Sequence, residues 1–84
     1  MNYEIILTKK FDKNFSKLDK EIQLRVIKKL KMLGEKPGAG KPLKGKFKNL
    51  LSLRIGDYRI IYTLNEKRKK ILIITIEHRK YVYK

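Results

Sequence analysis

Three runs of β-branched and aromatic residues, separated by short polar turns, fill the second half of the chain. The runs are Leu50–Ile55, Tyr58–Leu64 and Ile71–Glu77. The pair Gly56-Asp57 between the first two is typical of a two-residue β-hairpin turn, and Asn65–Lys70 forms a second, polar turn. Hairpin turns of this kind join antiparallel strands. The pattern therefore predicts a three-stranded antiparallel meander.

The first half of the chain contains a strand and then helical periodicity. Asn2–Leu7 is rich in aliphatic residues and predicts a first strand, after which Thr8 can cap a helix. Apolar residues at helical spacing follow in two groups, with Asp19 suited to the N-cap of the second helix and Gly34 to its end. The groups are Phe11, Phe15 and Leu18, then Ile22, Val26, Ile27, Leu30 and Leu33. Two short helices in tight succession predict an antiparallel helix hairpin.

A segment rich in glycine, proline and lysine, Lys36–Lys48, lies between the two halves. It predicts a connecting loop, since too little chain lies on either side for two domains. The order of elements is β-α-α-β-β-β: an N-terminal strand, an antiparallel helix hairpin and a three-stranded antiparallel meander. We therefore expect a single α+β domain over residues 1–84, with the helix hairpin on one face of the sheet.

The balance of charge is strongly basic. The chain has 23 Lys and Arg residues against 8 Asp and Glu, a net charge of +15, while 42% of its residues are hydrophobic. The hydrophobic share argues for a real core and against disorder. The excess positive charges repel one another in a compact fold, and they indicate a polyanionic partner. Nucleic acid or the ribosome is the first expectation, an acidic protein the second and an anionic membrane the third.

Composition excludes several kinds of chemistry. Without cysteine there are no disulfides, thiolate nucleophiles or iron–sulfur clusters, and the only histidine, His78, defines neither a metal site nor a triad and is taken as structural or accessory. The sequence also lacks a Walker-type phosphate loop and a pair of carboxylates suited to glycosidase chemistry. We expect no cofactor and no metal. With no signal peptide and no apolar stretch of membrane-spanning length, the sequence predicts a cytoplasmic protein.

Basic side chains are predicted to converge on the face of the sheet that the helices leave open. Strand alternation puts Ser52, Arg54 and Arg59 on that face, whereas Arg25 is expected to be solvated on the second helix. The loop and the segment after the last strand border the same face. The loop lysines are Lys36, Lys41, Lys44, Lys46 and Lys48, and the tail carries His78, Arg79, Lys80, Tyr81, Tyr83 and Lys84. A single lysine is more often simply solvated, but the cluster favours contact with phosphates.

Arg59, Tyr81 and Tyr83 each allow two interpretations from the sequence. Arg59 lies inside a strand and needs a partner, which is either a phosphate or a salt bridge to Asp57 or Glu77. Tyr81 and Tyr83 either stack on a base or pack against the core. If the domain is an enzyme, the side chains that carry its chemistry are those of Arg, Lys and Tyr. Such groups can cleave RNA, because the ribose 2′-OH is a built-in nucleophile that the protein need only align while stabilising charge on the phosphorane.

Two segments resemble the RelE/ParE superfamily, the toxins of type II toxin–antitoxin pairs, and the RelE branch most. They are PLKGKFKNLLSLRIGDYRIIY, from Pro42 to Tyr62, and IEHRKYVY, from Ile76 to Tyr83. The helix hairpin also matches in length and order, so the resemblance covers nearly the whole chain. It implies a RelE-like fold and a metal-independent, ribosome-dependent endoribonuclease (an mRNA interferase) that enters the A site, cuts mRNA and inhibits translation. It also implies inhibition by a cognate antitoxin of the RelB kind.

The resemblance implies roles for individual residues. Arg59 matches the strand arginine that stabilises the transition-state phosphate, Arg79 the arginine that supports the leaving group, and Tyr83 the tyrosine that orients the substrate. These three are the expected catalytic residues. The expected RNA- and ribosome-binding residues are Lys41, Lys44, Lys46, Lys48, Arg54, Lys80 and Lys84, and His78, Tyr81 and Ser52 are accessory.

The sequence departs from the family pattern at the general base. Such toxins carry lysines at alternate positions of the strand before the hairpin, where this chain has Leu50 and Ser52. The candidates to replace them are Lys44, Lys46 and Lys48. Glu77 and Tyr81 stand where the commoner pattern has Gly and Asp. The resemblance therefore leaves the general base open.

The expected partners are the ribosome with its mRNA, and a short acidic antitoxin in a 2:2 complex. We expect the free toxin to be monomeric, because its charge of +15 opposes self-association. Fold alone does not separate the ribonuclease from a ParE-like gyrase poison or a non-catalytic basic module that binds nucleic acid or the ribosome. The discriminating feature is whether Arg59, Arg79 and Tyr83 converge in one groove.

Overall fold

The computed structural model describes residues 2–43 and 49–78. Within them the chain forms two α-helices, five strands and a 3₁₀ turn. The strands are β1 (Glu4–Leu7), β2 (Lys41–Pro42), β3 (Leu51–Ile55), β4 (Tyr58–Asn65) and β5 (Lys70–His78). The helices are α1 (Lys9–Ser16) and α2 (Lys20–Glu35), and the 3₁₀ turn is Pro37–Ala39. This is the α+β fold that the sequence predicted.

The strands form one mixed sheet in the order β1-β5-β4-β3-β2. β3, β4 and β5 pair antiparallel in succession, which confirms the predicted meander. β1 lies at one edge and runs parallel to β5. β2 forms the other edge beside β3, so the prediction of a loop throughout Lys36–Lys48 was wrong at Lys41 and Pro42. A two-residue edge strand with proline and lysine is a poor template for further strand pairing.

The turn between β3 and β4 has two residues, as predicted. Ile55 and Tyr58 are register partners, and Gly56 has a φ of 56°. A type II′ hairpin turn requires a positive φ at its first central residue, and glycine adopts it without steric cost. The turn between β4 and β5 is shorter than predicted, because Asn65 and Lys70 pair with each other at the ends of their strands.

Thr8 begins α1 and joins it to β5. Its hydroxyl accepts a hydrogen bond from the Phe11 amide at 3.1 Å and donates one to the Ile74 carbonyl at 2.6 Å. An N-cap of this kind stabilises a helix by about 1 kcal/mol. α2 continues past Gly34, its predicted end, and the Gly34 carbonyl accepts a hydrogen bond from the Tyr3 amide at 2.8 Å. Gly34 therefore connects α2 to the start of the sheet.

The core lies between the helix hairpin and one face of the sheet. Its buried side chains include Phe11, Val26, Leu33, Ile55, Ile60, Tyr62, Ile71, Ile73 and Ile76. Burying one such side chain contributes about 1.5–3 kcal/mol. Ile27, which the sequence placed on the apolar stripe, is 40% exposed. Successive helix residues are turned by about 100°, so Ile27 lies beside the buried face that Val26 occupies.

A β-bulge decides which residues of β5 face the core. The register pairs on either side of it are Ile61 with Thr75 and Tyr62 with Ile73. Ile74 has no register partner on β4, and the extra residue shifts the alternation of the strand by one. Ile73 and Ile76 are therefore both buried in the core, and Glu77 lies on the opposite face.

The packing around Gly40 makes a testable prediction about stability. A Cβ at Gly40 would overlap the Tyr62 hydroxyl and lie 2.8 Å from the Ser52 carbonyl oxygen, which is part of β3 and cannot swing away. Forcing an extra methyl group into such a site costs about 1–3 kcal/mol. We expect Gly40→Ala to lower the thermal midpoint by several degrees, measured by circular dichroism.

Gly38→Ala is the matched control, since a Cβ there meets nothing within 4 Å. It should leave the midpoint unchanged or raise it slightly, because alanine restricts the unfolded chain more than glycine does. Equal midpoints for the two variants would contradict the close packing of Gly40 on Tyr62.

Candidate functional site

The face of the sheet opposite the helices, here called the open face, carries two rows of paired residues near the β3–β4 turn. The first row is Arg54, Arg59 and Glu77, and the second is Ser52, Ile61 and Thr75. Directly opposed residues of antiparallel strands have Cβ atoms about 4.5–5.5 Å apart. The first row, here called the arginine row, therefore brings two guanidinium groups and one carboxylate side by side.

Arg59 is half-buried in the arginine row and is held by a neighbour on β3. Its Nη1 donates a hydrogen bond to Ser52 Oγ at 3.2 Å, and Ser52 is only 4% exposed. Among the described residues, Glu77 pairs with Thr75, Asn14 and Lys10 rather than in the salt bridge to Arg59 that the sequence allowed. A buried serine is itself fixed by packing, so its hydroxyl limits the orientations open to the guanidinium.

Glu77 takes its partners from α1 and from its own strand. Its Oε2 accepts hydrogen bonds from Thr75 Oγ1 at 2.7 Å and from Asn14 Nδ2 at 3.2 Å, and lies 3.9 Å from Lys10 Nζ. Asn14 Nδ2 also donates to the Ile76 carbonyl at 3.3 Å. α1 thus covers the edge of β5 beyond the end of β1. Asn14 and Lys10 were not predicted because only the tertiary fold brings α1 beside β5, and Thr75 was not predicted because the bulge in β5 sets its face.

Two further arginines lie close to Gly56 in the β3–β4 turn. Arg54 is exposed, and its Nε donates a hydrogen bond to the Gly56 carbonyl at 3.2 Å. Arg25 reaches the same turn from α2, and a Cβ on Gly56 would lie 3.5 Å from its Nη1. Arg25 is exposed, as predicted, although helical periodicity alone does not show that α2 passes this turn. The structure therefore brings Arg25, Arg54 and Arg59 to the same end of the sheet.

Tyr62 fixes the start of the basic loop next to this site. Its hydroxyl donates a hydrogen bond to the Pro37 carbonyl at 3.1 Å and accepts one from the Gly40 amide at 2.9 Å. Burial raises the pKa of the Tyr62 hydroxyl above its ordinary value of 10.0, and the hydrogen bond from Gly40 lowers it by less. Lys41, which follows Gly40 in the chain, is exposed and is the register partner of Ser52. One lysine of the loop thus lies beside the serine that holds Arg59.

His78 lies on the helix side of the sheet, away from the arginine row. It is the register partner of Tyr58, and the two rings meet edge to face with centroids 5.2 Å apart. Eight of the other predicted site residues lie outside the described residues. They are Lys44, Lys46 and Lys48 of the loop, and Arg79, Lys80, Tyr81, Tyr83 and Lys84 of the tail.

A groove of about 840 Å³ opens at the far end of the sheet, beside the β4–β5 turn. Its walls include Ile6, Pro42, Leu51, Thr63, Lys70 and Leu72, and none of the arginine row. Over residues 2–43 and 49–78, no group of three or more His, Asp or Glu side chains could hold a metal ion. No helix in this part of the chain is long and apolar enough to cross a membrane.

Comparison with known proteins settles the family. A family model described as the ParE toxin of the type II toxin–antitoxin system parDE matches residues 5–83. The chain belongs to this toxin family. No curated protein sequence matches the chain at a significant level. The resemblance to the RelE/ParE superfamily is therefore confirmed, and the protein is a toxin of a type II toxin–antitoxin system.

Solved structures of RelE toxins share the fold. A chain of the RelBE2 toxin–antitoxin complex from Mycobacterium tuberculosis is 26% identical with a TM-score of 0.87, over 94% of this toxin and 100% of that chain. A chain of the RelE–RelB complex from Pyrococcus horikoshii is 29% identical with a TM-score of 0.79, over 94% and 97%. The isolated RelE toxin of E. coli, at 22% identity and a TM-score of 0.77 over 96% and 90%, shares the fold alone.

The buried hydroxyl of Tyr62 makes a prediction about pH dependence. Tyr62→Phe removes two hydrogen bonds, and we expect a loss of about 1–2 kcal/mol at neutral pH. Because burial raises the pKa of Tyr62 in the folded toxin, tyrosine in the unfolded chain ionises first as the pH rises above 10.0. The stabilisation is therefore complete below that pH and is lost above it.

Urea unfolding of the parent and of Tyr62→Phe at pH 7, 9 and 11 measures this effect. The difference in unfolding free energy between the two should be constant up to pH 9 and smaller at pH 11. A difference that stays constant to pH 11 would contradict the burial of the hydroxyl.

Proposed function

We propose that this toxin is a ribosome-dependent endoribonuclease that cleaves mRNA in the A site and thereby inhibits translation. The arginine row is the observation that supports this proposal most directly. It offers an oriented guanidinium, Arg59, next to an exposed one, Arg54, on the face of the sheet opposite the core. Planar guanidinium groups match the geometry of phosphate oxygens.

The chemistry that this arrangement suits is attack by the ribose 2′-OH on the adjacent phosphate. The protein must hold the 2′-oxygen in line with the phosphorus and stabilise the charge that develops on the non-bridging oxygens. In our proposal Arg59 supplies that stabilisation. By family resemblance, Arg79 supports the leaving 5′-oxygen and Tyr83 orients the substrate. His78 has an accessory role, in keeping with its place on the other side of the sheet.

Affinity for the ribosome is assigned to the basic side chains around the open face. Each phosphate that a lysine or arginine neutralises releases counterions, so binding should weaken steeply as salt rises. Lys41 lies beside Ser52, and Arg54 stands in the arginine row. The complete set comprises Lys41, Lys44, Lys46, Lys48, Arg54, Lys80 and Lys84. The target in this proposal, the translating ribosome, is in the cytoplasm.

The second partner in our proposal is an acidic antitoxin of the RelB kind. The similar toxins of M. tuberculosis and P. horikoshii were solved as toxin–antitoxin complexes. A net charge of +15 favours binding of an oppositely charged chain and opposes contact between two copies of the toxin. We therefore propose a monomeric free toxin and a 2:2 complex with the antitoxin.

A ParE-like gyrase poison is the second candidate function, and the ParE name of the matching family model favours it. The two candidates differ in what the toxin must do to RNA. A gyrase poison leaves mRNA on ribosomes intact and blocks DNA supercoiling by purified gyrase. Primer extension on mRNA from translating ribosomes, with a gyrase supercoiling assay beside it, therefore separates them.

The proposed roles predict the behaviour of three alanine variants. Arg79→Ala should lower the single-turnover rate of mRNA cleavage at saturating ribosomes by about 10²-fold or more, the usual cost of losing one oxyanion donor. Arg59→Ala should do the same. Lys36→Ala removes an exposed charge at the end of α2 and should change ribosome affinity and its salt slope slightly, with no effect on the saturated rate. If Arg79→Ala cuts as fast as the parent, the catalytic assignment of Arg79 is wrong.

A second prediction concerns the need for the ribosome. With no tuned histidine or metal ion in the proposed mechanism, the substrate must be bent into line, and the A site supplies that geometry. We expect weak, salt-sensitive binding of the toxin to free RNA, and cleavage of the same mRNA only on ribosomes. Efficient cutting of the free RNA under single-turnover conditions would contradict ribosome dependence.

A further inference from the structure

Glu77 brings a carboxylate into the arginine row, directly across from Arg59. Its two carboxylate oxygens have different surroundings. Oε2 is held by Thr75 and Asn14 and lies near Lys10. Oε1 makes no hydrogen bond or ion pair within the described residues. The carboxylate is therefore anchored through one oxygen, and the Glu77 side chain is still 30% exposed.

We propose that Glu77 is the general base of the RNA cleavage reaction, with Oε1 accepting the proton of the ribose 2′-OH. This assignment rests on the proposed ribonuclease function and adds to it the group that the family resemblance left open. It is not carried over from the family, since Glu77 occupies a position where the commoner pattern has glycine. The assignment comes from the β-bulge at Ile74, which turns Glu77 to the same face as Arg59.

The surroundings of Glu77 suit this role. Among the described residues, the charged side chains beside it are Lys10 from α1 and Arg59 from β4, and both are positive. Glu77 bonds Thr75 and Asn14 whereas Arg59 Nη1 donates to Ser52 Oγ, so different neighbours hold the carboxylate and the guanidinium. A scissile phosphate held on Arg59 would have the attacking 2′-oxygen within a few ångströms of its phosphorus, because the two groups are attached to adjacent carbons of one ribose. Base and phosphate-binding group are thus adjacent on neighbouring strands.

The proposed step conserves atoms and charge. The 2′-hydroxyl proton passes to Glu77 Oε1 as the 2′-oxygen forms a bond to phosphorus. Arg59 stabilises the negative charge on the non-bridging oxygens, and the bond from phosphorus to the 5′-oxygen breaks. The 5′-oxygen takes a proton from water, and Glu77 returns its proton to solvent. The products are a 2′,3′-cyclic phosphate and a 5′-hydroxyl end.

The decisive variant is Glu77→Gln. Glutamine keeps an oxygen that can accept from Thr75 and Asn14, so the contact between α1 and β5 should persist and the thermal midpoint should stay close to the parent's. It cannot take up the 2′-hydroxyl proton, and loss of a general base commonly costs about 10²–10⁴-fold in rate. We expect the single-turnover rate at saturating ribosomes to fall by about 10²-fold or more, with ribosome affinity unchanged or slightly higher.

Glu66→Gln is the matched control. It makes the same change of charge in the exposed β4–β5 turn, at the far end of β4 from the arginine row. We expect it to cleave at the parent's rate. Glu77→Asp retains a carboxylate, displaced by the shorter side chain, and should cut more slowly than the parent but faster than Glu77→Gln.

The pH dependence separates a base from a merely structural residue. Without the carboxylate, hydroxide must remove the proton, so the rate of Glu77→Gln should rise by about tenfold per pH unit, more steeply than the parent's. If Glu77→Gln cuts within about threefold of the parent with the parent's pH profile, Glu77 is not the base and the ribonuclease proposal stands. If the parent binds ribosomes and never cuts mRNA, both proposals are wrong.

Discussion

The β-bulge at Ile74 is the local feature on which the rest of this toxin's site depends. Before it, Ile71 and Ile73 face the core; after it, Ile76 does, so the strand keeps its apolar packing along its whole length. The same shift sends Glu77 to the open face opposite Arg59. Bulges commonly re-aim side chains beside functional sites. Here a single extra residue serves both the core and the arginine row.

The strand edge beyond the bulge is protected by polar side chains of α1. β1 ends at Leu7, opposite Ile73, and from there Thr8 and Asn14 bond the carbonyls of Ile74 and Ile76. These bonds satisfy acceptors that an exposed edge would otherwise offer to another chain. They also fix α1 beside Glu77, whose Oε2 shares Asn14 as a donor. The element that closes the edge of the sheet is therefore the one that orients the carboxylate.

Much of the architecture could be predicted from local pattern alone. The strands, the two helices, the Thr8 cap and the glycine turn at Gly56 each follow from interactions within a few residues, and the structure has all of them. The pairing of β1 with β5 and the short strand β2 were not foreseen, because each depends on residues far apart in the chain. α2 ends at Glu35, one residue beyond the predicted end at Gly34, and the Gly34 carbonyl accepts a hydrogen bond from the distant Tyr3 amide.

The strongly basic charge, the α+β pattern and the toxin family of this protein can all be recognised from its sequence. Strand alternation also placed Arg54 and Arg59 on one face, because side-chain direction in a regular strand depends only on position. The surroundings of these two arginines depend on the complete fold. The contact between Ser52 and Arg59 depends on strand register, and the position of Arg25 at the turn depends on helix packing. The place of Glu77 in the arginine row depends on the β-bulge. These arise from the packing of the whole core, which no short segment of sequence contains.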